Sequence, residues 1–159
     1  MCADVIVVGG GLAGSMAAAM LGHAGHDVTF VDPNATYPPD FRCEKLEQGH
    51  IGVLRRSGLA EAVIRAATHT DRLWIARFGR IIDKVPFDQY GMAYDRLVNT
   101  IRAEIPQHVR TCRTFVDAVT LIENHQRVLL SDGHEIDARL VILASGLNWT
   151  LRRNLGISR

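Results

Sequence analysis

The chain is poor in cysteine. Its 159 residues include three cysteines, Cys2, Cys43 and Cys112, which are widely spaced and form no CxxC pair. An odd count in this arrangement argues against a disulfide framework and against a zinc site. A reducing, cytoplasmic setting is therefore expected.

Charge and hydropathy exclude further classes of protein. Eighteen Lys and Arg stand against 17 Asp and Glu, with no block of either sign, so neither nucleic acid nor an anionic membrane is expected as a partner. No apolar run is long enough to predict a membrane span. His23 and His26 are three residues apart, but no third ligand follows at a suitable spacing, so no metal site is expected. A small organic molecule is the expected partner, and the oligomeric state is left open.

Glycine, by contrast, is concentrated directly after the first apolar run. The segment "VVGGGLAG" occupies residues 7–14. Residues 5–8 predict a strand that is buried on both faces, and residues 12–21 predict a helix rich in small side chains. A second apolar strand is predicted at residues 28–31. Together these segments predict a βαβ unit of about thirty residues.

The spacing of these glycines matches G-x-G-x-x-G. Gly9 would permit a tight turn, Gly11 would let the backbone approach a pyrophosphate, and Gly14 would let the helix pack closely on the sheet. At the start of the helix, the N–H groups of Leu12 and Ala13 would face the phosphates, where the helix dipole also favours negative charge. The motif therefore predicts a dinucleotide site.

An acidic residue stands where such a site needs one. Asp32 ends the second predicted strand, where it would accept hydrogen bonds from the ribose hydroxyls of adenosine. The alternative is that the glycines make only a tight connection and that Asp32 caps the segment after it. The motif alone does not separate FAD from NAD.

The remainder of the chain predicts a mixed fold. Residues 42–66 carry a helical pattern broken near Gly58, and residues 94–105 predict a helix that Pro106 ends. Short strands are expected at residues 73–78, 81–87, 116–122, 127–130, 135–138 and 140–144. The strands at 116–122, 127–130 and 135–138 would form a meander. The predicted fold class is α/β, with a Rossmann-like parallel sheet and a three-stranded β-meander.

Four segments carry a family resemblance. They are "DVIVVGGGLAGSMAAAMLGHAGHDVTFVDP", "FRCEKL", "IGVLRRSGL" and "RLVILASGLNWTLRRNLGI". Together they resemble the N-terminal part of the FAD-dependent monooxygenases related to p-hydroxybenzoate hydroxylase. The resemblance implies that residues 1–159 form the FAD-binding domain, with an incomplete FAD/NAD(P)-binding fold, at the N-terminal end of a longer flavoprotein. A strand pair would be inserted near residues 70–90.

The resemblance also implies roles for residues outside the glycine motif. Arg42 matches a family arginine that helps to hold the cofactor, and Val116 matches a residue that touches the adenine. Ala144, Ser145 and Gly146 match the segment that returns the chain beneath the cofactor.

Two positions depart from the family pattern. The acid at the end of the second strand is usually Glu, whereas this chain has Asp32. Tyr94 stands where the family often places an arginine, so that arginine contact is not expected here.

The resemblance implies a reaction as well as a cofactor. In the family, NAD(P)H reduces FAD, and reaction with oxygen leads to hydroxylation or epoxidation of an organic substrate. Two alternatives are a flavin-dependent reductase or halogenase that shares this N-terminal half, and a dinucleotide-binding module without activity. No side chain is identified as catalytic, and the isolated chain is expected to be inactive.

Overall fold

The computed structural model of the chain describes residues 2–157 and divides into two compact units. The first unit combines the residues up to Pro38 with those from Ile101 onward, and the second unit is Pro39–Thr100. The elements run in chain order as β1 (Cys2–Val8), α1 (Leu12–His23), β2 (Val28–Val31), β3 (Cys43–Glu47), α2 (Gln48–Arg56), α3 (Ala60–Ala66), β4 (Thr68–Arg77), β5 (Arg80–Ala93), α4 (Tyr94–Ala103), β6 (Arg110–Cys112), β7 (Val116–Ile122), β8 (His125–Leu130), β9 (Glu135–Leu143) and α5 (Trp149–Asn154).

The first unit is built on a six-stranded sheet in the order β6-β2-β1-β9-β8-β7. Strands β6, β2, β1 and β9 are parallel, and β9, β8 and β7 pair antiparallel as a meander. This arrangement confirms the predicted α/β class, with its Rossmann-like parallel sheet and three-stranded meander.

The parallel sheet is buried on both faces because apolar side chains alternate along its strands. Val5 and Val7 of β1 belong to one cluster, whereas Ile6 and Val8 belong to another. The first cluster also contains Ala18, Val28, Phe30 and Val109, and the second contains Ala3, Val31, Val128, Leu130, Ala138 and Leu151. The small residues of α1 let this helix lie close to its neighbours, since a Cβ on Gly22 would lie 2.6 Å from Val109 Cγ2.

The second unit contains an antiparallel sheet in the order β3-β5-β4. The predicted strands at 73–78 and 81–87 are present as parts of the longer β4 and β5, and Phe78 lies in the turn between them. The predicted helix over 42–66 is wrong in its first part, because residues 43–47 form β3. Pairing of β3 with β5, from Cys43↔Ala93 to Glu47↔Gln89, outweighs the local helical pattern.

Two further differences concern the end of the chain. The strands predicted separately at 135–138 and 140–144 form one continuous strand, β9, because it pairs along most of its length with β1. The segment after it contains α5, a helix that was not among the predicted elements. Within residues 2–157, no helix has both the length and the apolar character needed to cross a membrane.

Candidate dinucleotide-binding site

A cleft lies at the carboxyl ends of β1 and β2 and brings together residues from four parts of the sequence. Its walls include Gly9, Asp32, Val116, Ser145 and Asn148. The first four were predicted site residues, and Asn148 was not. Strand β1 has β2 on one side and β9 on the other, so the cleft lies where connections leave the sheet in opposite directions. Open α/β sheets bind their ligands at this kind of position.

At two positions of the motif, any residue other than glycine would clash with the chain's own backbone. Gly9 has a φ of +100°, and a Cβ there would lie 2.6 Å from the Ala144 carbonyl oxygen. A Cβ on Gly14 would lie 1.8 Å from the Gly9 carbonyl oxygen. Gly11 differs from both, because its φ of −70° and ψ of −171° are extended values that any residue adopts.

The start of α1 suits a pyrophosphate. Among the described residues, no side chain caps this N-terminus, and its first turn holds no acidic residue. The hydrogen bond from Ser15 N–H to the Gly11 carbonyl, at 3.0 Å, begins the helical pattern. The backbone at Leu12 and Ala13 therefore lies at the positive end of the helix dipole, where phosphate oxygens are favoured. These residues fit the pyrophosphate of FAD.

The Asp32 carboxylate accepts hydrogen bonds from residues of the first unit. Its Oδ2 accepts the N–H of Gly10 at 2.7 Å, and its Oδ1 accepts the N–H of Asn34 at 3.0 Å. Arg102 Nη2 lies 2.9 Å from the same Oδ1. The side chains of Arg102 and Asp32 are only 9% and 12% exposed. The ribose role of Asp32 stays a prediction.

Sequence reasoning missed Arg102 and Ser15. Both donate to the carbonyl of Gly10, Ser15 Oγ at 3.1 Å and Arg102 Nε at 2.9 Å. A Cβ on Gly10 would lie 2.1 Å from Arg102 Nη2, so the middle glycine of the three consecutive ones makes room for this guanidinium. That glycine was the available signal, but nothing local connects it to an arginine 92 residues away.

The chain returns to the glycine turn after β9. The N–H of Ala144 donates to the carbonyl of Val8 at 2.8 Å. Ser145 lines the cleft, whereas Gly146 is exposed and has a φ of +58°. Asn148 Oδ1 accepts the N–H of Leu151 at 3.2 Å and so caps α5.

Arg42 lies in the second unit. It forms an ion pair with Asp40 at 2.5 Å, and its guanidinium lies 4.0 Å from the centre of the Tyr94 ring. The Arg42 side chain lowers the pKa of the Asp40 carboxyl by hydrogen bonding to it. The role of Arg42 toward the cofactor stays a prediction.

The described part of the chain contains no group of three or more His, Cys, Asp or Glu residues that could hold a metal ion. The cysteines within it are free, with Cys2 and Cys43 exposed and Cys112 half-buried. Burial raises the pKa of the Cys112 thiol.

Curated relatives of the chain are known from mycobacteria. The chain is 33% identical over 165 residues to the menaquinone reductase of Mycobacterium tuberculosis, and 30% identical over 168 residues to that of Mycolicibacterium smegmatis. Each match covers 97% of this chain and 40% of the relative. The chain therefore spans about two-fifths of the length of these relatives.

Solved structures show the same fold at lower identity. The p-nitrophenol 4-monooxygenase PnpA from Pseudomonas putida DLL-E4 matches with a TM-score of 0.82 and 21% identity, over 98% of this chain and 44% of that protein. A variant of 2-methyl-3-hydroxypyridine-5-carboxylic acid oxygenase matches with a TM-score of 0.79 and 19% identity, over 98% and 43%. The family model described as "FAD binding domain" matches residues 2–159. The chain therefore belongs to the FAD binding domain family of flavoproteins.

Proposed function

We propose that the chain is the FAD-binding part of a flavoprotein oxidoreductase that takes electrons from NAD(P)H and delivers them to a small organic acceptor of the quinone class. The cleft at the carboxyl ends of β1 and β2 supports this proposal, because residues from the end of β2, from the meander and from the segment after β9 line it together with Gly9. Gly9 in turn leads, two residues later, to Gly11 at the start of α1. This arrangement suits a ligand with a pyrophosphate and an adenosine.

The chain's own residues would hold one end of the cofactor. The backbone at Gly11, Leu12 and Ala13 would donate hydrogen bonds to the pyrophosphate. Val116 would pack against the adenine, and Ser145 would contact the cofactor from the end of β9. Bound FAD would supply two-electron chemistry, while these residues position it.

Two reactions compete for the second half of the proposal. The quinone acceptor is favoured by the curated relatives, which are named menaquinone reductases and share 30% to 33% identity with this chain. The monooxygenase reaction remains the second candidate, because the chain resembles the family of p-hydroxybenzoate hydroxylase. A halogenase and a module without activity are not favoured by any observation above.

Calorimetry on the purified chain tests the binding half. We expect FAD to bind more tightly than NAD, because Val116 and the return segment at 144–146 are not needed by a simple NAD-binding domain. Tighter binding of NAD than of FAD would overturn the proposal.

An electron-transfer assay tests the proposed reaction. It uses the protein as it is expressed from its natural gene. Under anaerobic conditions with NADH or NADPH, a short-chain naphthoquinone should be reduced to its hydroquinone. Oxygen consumption coupled to a hydroxylated phenolic product, without quinone reduction, would favour the monooxygenase instead.

A further inference from the structure

The backbone of Gly10 is held at both its N–H and its carbonyl oxygen. Its N–H donates to Asp32 Oδ2 at 2.7 Å. Its carbonyl oxygen accepts from Ser15 Oγ at 3.1 Å and from Arg102, through Nε at 2.9 Å and Nη2 at 2.5 Å. Gly10 lies between Gly9 and Gly11, at the centre of the loop that would receive the pyrophosphate.

Arg102 ties this loop to the segment after β2. Besides the Gly10 carbonyl, it donates through Nη2 to Asp32 Oδ1 at 2.9 Å and through Nη1 to the Asn34 carbonyl at 2.8 Å. A planar guanidinium has five donors in a fixed geometry and can make these contacts together, which a lysine ammonium cannot do. One side chain thus connects the two segments that border the cleft.

These contacts leave Asp32 little capacity for a ligand. A carboxylate offers about four acceptor sites. Gly10 N–H, Asn34 N–H and Arg102 occupy three of them in the described part of the chain. Asp32, which stands where the family usually has the longer Glu, is therefore engaged in hydrogen bonds within the chain, including one from Gly10 of the glycine loop.

We propose that Arg102 is a positioning residue for FAD, which braces the glycine loop through Gly10 and Asp32 and withdraws Asp32 from recognition of the ribose. This chain would then distinguish only weakly between the adenosine ribose and its 2′-deoxy analogue. The proposal rests on the FAD site of the proposed function, and its experiment separates the two.

Substitutions on helix α4 test the brace. Arg102→Met should raise the dissociation constant of FAD at least about tenfold, whereas Arg102→Lys should have an intermediate effect. Arg96→Met is the matched control, because Arg96 is an exposed arginine on the same helix, and it should change the constant by less than about twofold. Unchanged FAD affinity in a folded Arg102→Met variant, with only its thermal stability lowered, would overturn the proposal.

A ribose analogue gives a readout that a merely structural role would not move. The wild-type chain should bind FAD and its 2′-deoxyadenosine analogue within about threefold of each other. In Arg102→Met the released Asp32 can turn to the ribose, so this ratio should rise to about tenfold. A wild-type ratio already above about thirtyfold, or the same ratio in both proteins, would contradict the proposal.

Amide hydrogen exchange on the ligand-free chain tests the brace without any cofactor. The Gly10 N–H should be protected in the wild type and should exchange faster in Arg102→Lys. This variant keeps the positive charge, so it can be measured even if Arg102→Met fails to fold. An unprotected Gly10 amide in the wild type would overturn the brace. Failure of the wild type to bind FAD would overturn the proposed function instead.

Discussion

At the scale of single residues, the glycines of the first loop serve different purposes. Gly9 and Gly14 lie against the chain's own backbone, whereas Gly10 makes room for Arg102. Gly11 adopts a conformation open to any residue. Substitutions at these positions should therefore separate folding from cofactor binding.

Gly11→Ala should leave the fold intact and weaken FAD binding. Its backbone angles suit alanine, so the turn survives, but the added methyl group would displace the pyrophosphate from the start of α1. We expect the dissociation constant to rise at least about tenfold, or about 1.4 kcal/mol, by calorimetry. Unchanged binding by the folded variant would show that the glycines serve the turn alone.

Gly10→Ala should instead lower the free energy of unfolding. The new Cβ would lie 2.1 Å from Arg102 Nη2 and 2.7 Å from Asp32 Cγ, so both side chains would have to shift, which would disturb the hydrogen bond between Arg102 Nη2 and Asp32 Oδ1. Overpacking of this kind costs about 1 to 3 kcal/mol, measurable by denaturant unfolding. Gly49→Ala is the control, because a Cβ there meets no atom within 4 Å among the described residues.

At the scale of secondary structure elements, the meander is stabilised by a cross-strand ion pair. Arg127 of β8 lies opposite Asp137 of β9, with Nε 2.7 Å from Oδ1 and Nη2 3.0 Å from Oδ2. This hydrogen bonding lowers the pKa of Asp137 below its usual value. The carboxylate therefore stabilises the fold above its unfolded pKa of about 3.9, and the contribution is lost as the pH falls through the lower folded pKa.

Asp137→Asn should accordingly flatten the acid limb of the stability curve. Urea midpoints at neutral pH and below about pH 4 would show a smaller loss for the variant than for the wild type. Asp71→Asn, at a side chain that is 75% exposed, provides the comparison and should keep the wild-type slope. If stability fell equally with decreasing pH in the wild type and in Asp137→Asn, the ion pair would not be the cause of the acid sensitivity.

At the scale of the whole molecule, we expect the 159-residue chain to bind FAD without product-coupled turnover. The candidate contacts within residues 2–157 address the pyrophosphate and adenosine end of FAD, and catalysis also needs the reacting ring to be shielded from water. The measurement is oxygen consumption and product formation with FAD, NADPH and phenolic substrates, and quinone reduction in parallel. Turnover by a species of confirmed mass would contradict this expectation.

How far the sequence predicts this molecule depends on the range of the interactions. The glycine spacing and the apolar strands predict the βαβ unit and the parallel sheet, because those signals are local. Strand β3 and the contacts of Arg102 were not predictable, since both depend on partners far along the chain. The family resemblance points to Ser145 but not to Asn148, which also lines the cleft. Asn148 caps α5, and that helix was not predicted from the sequence.

The hydrogen bonds to both backbone polar atoms of Gly10 affect how fast the cofactor binds. A loop that must order itself during binding adds a slow unimolecular step, and the observed rate then levels off at high ligand concentration. Asp32, Ser15 and Arg102 hold this loop through hydrogen bonds from the chain itself. In stopped-flow mixing, the observed rate of FAD uptake should therefore rise linearly with FAD concentration, whereas in Arg102→Met it should reach a plateau.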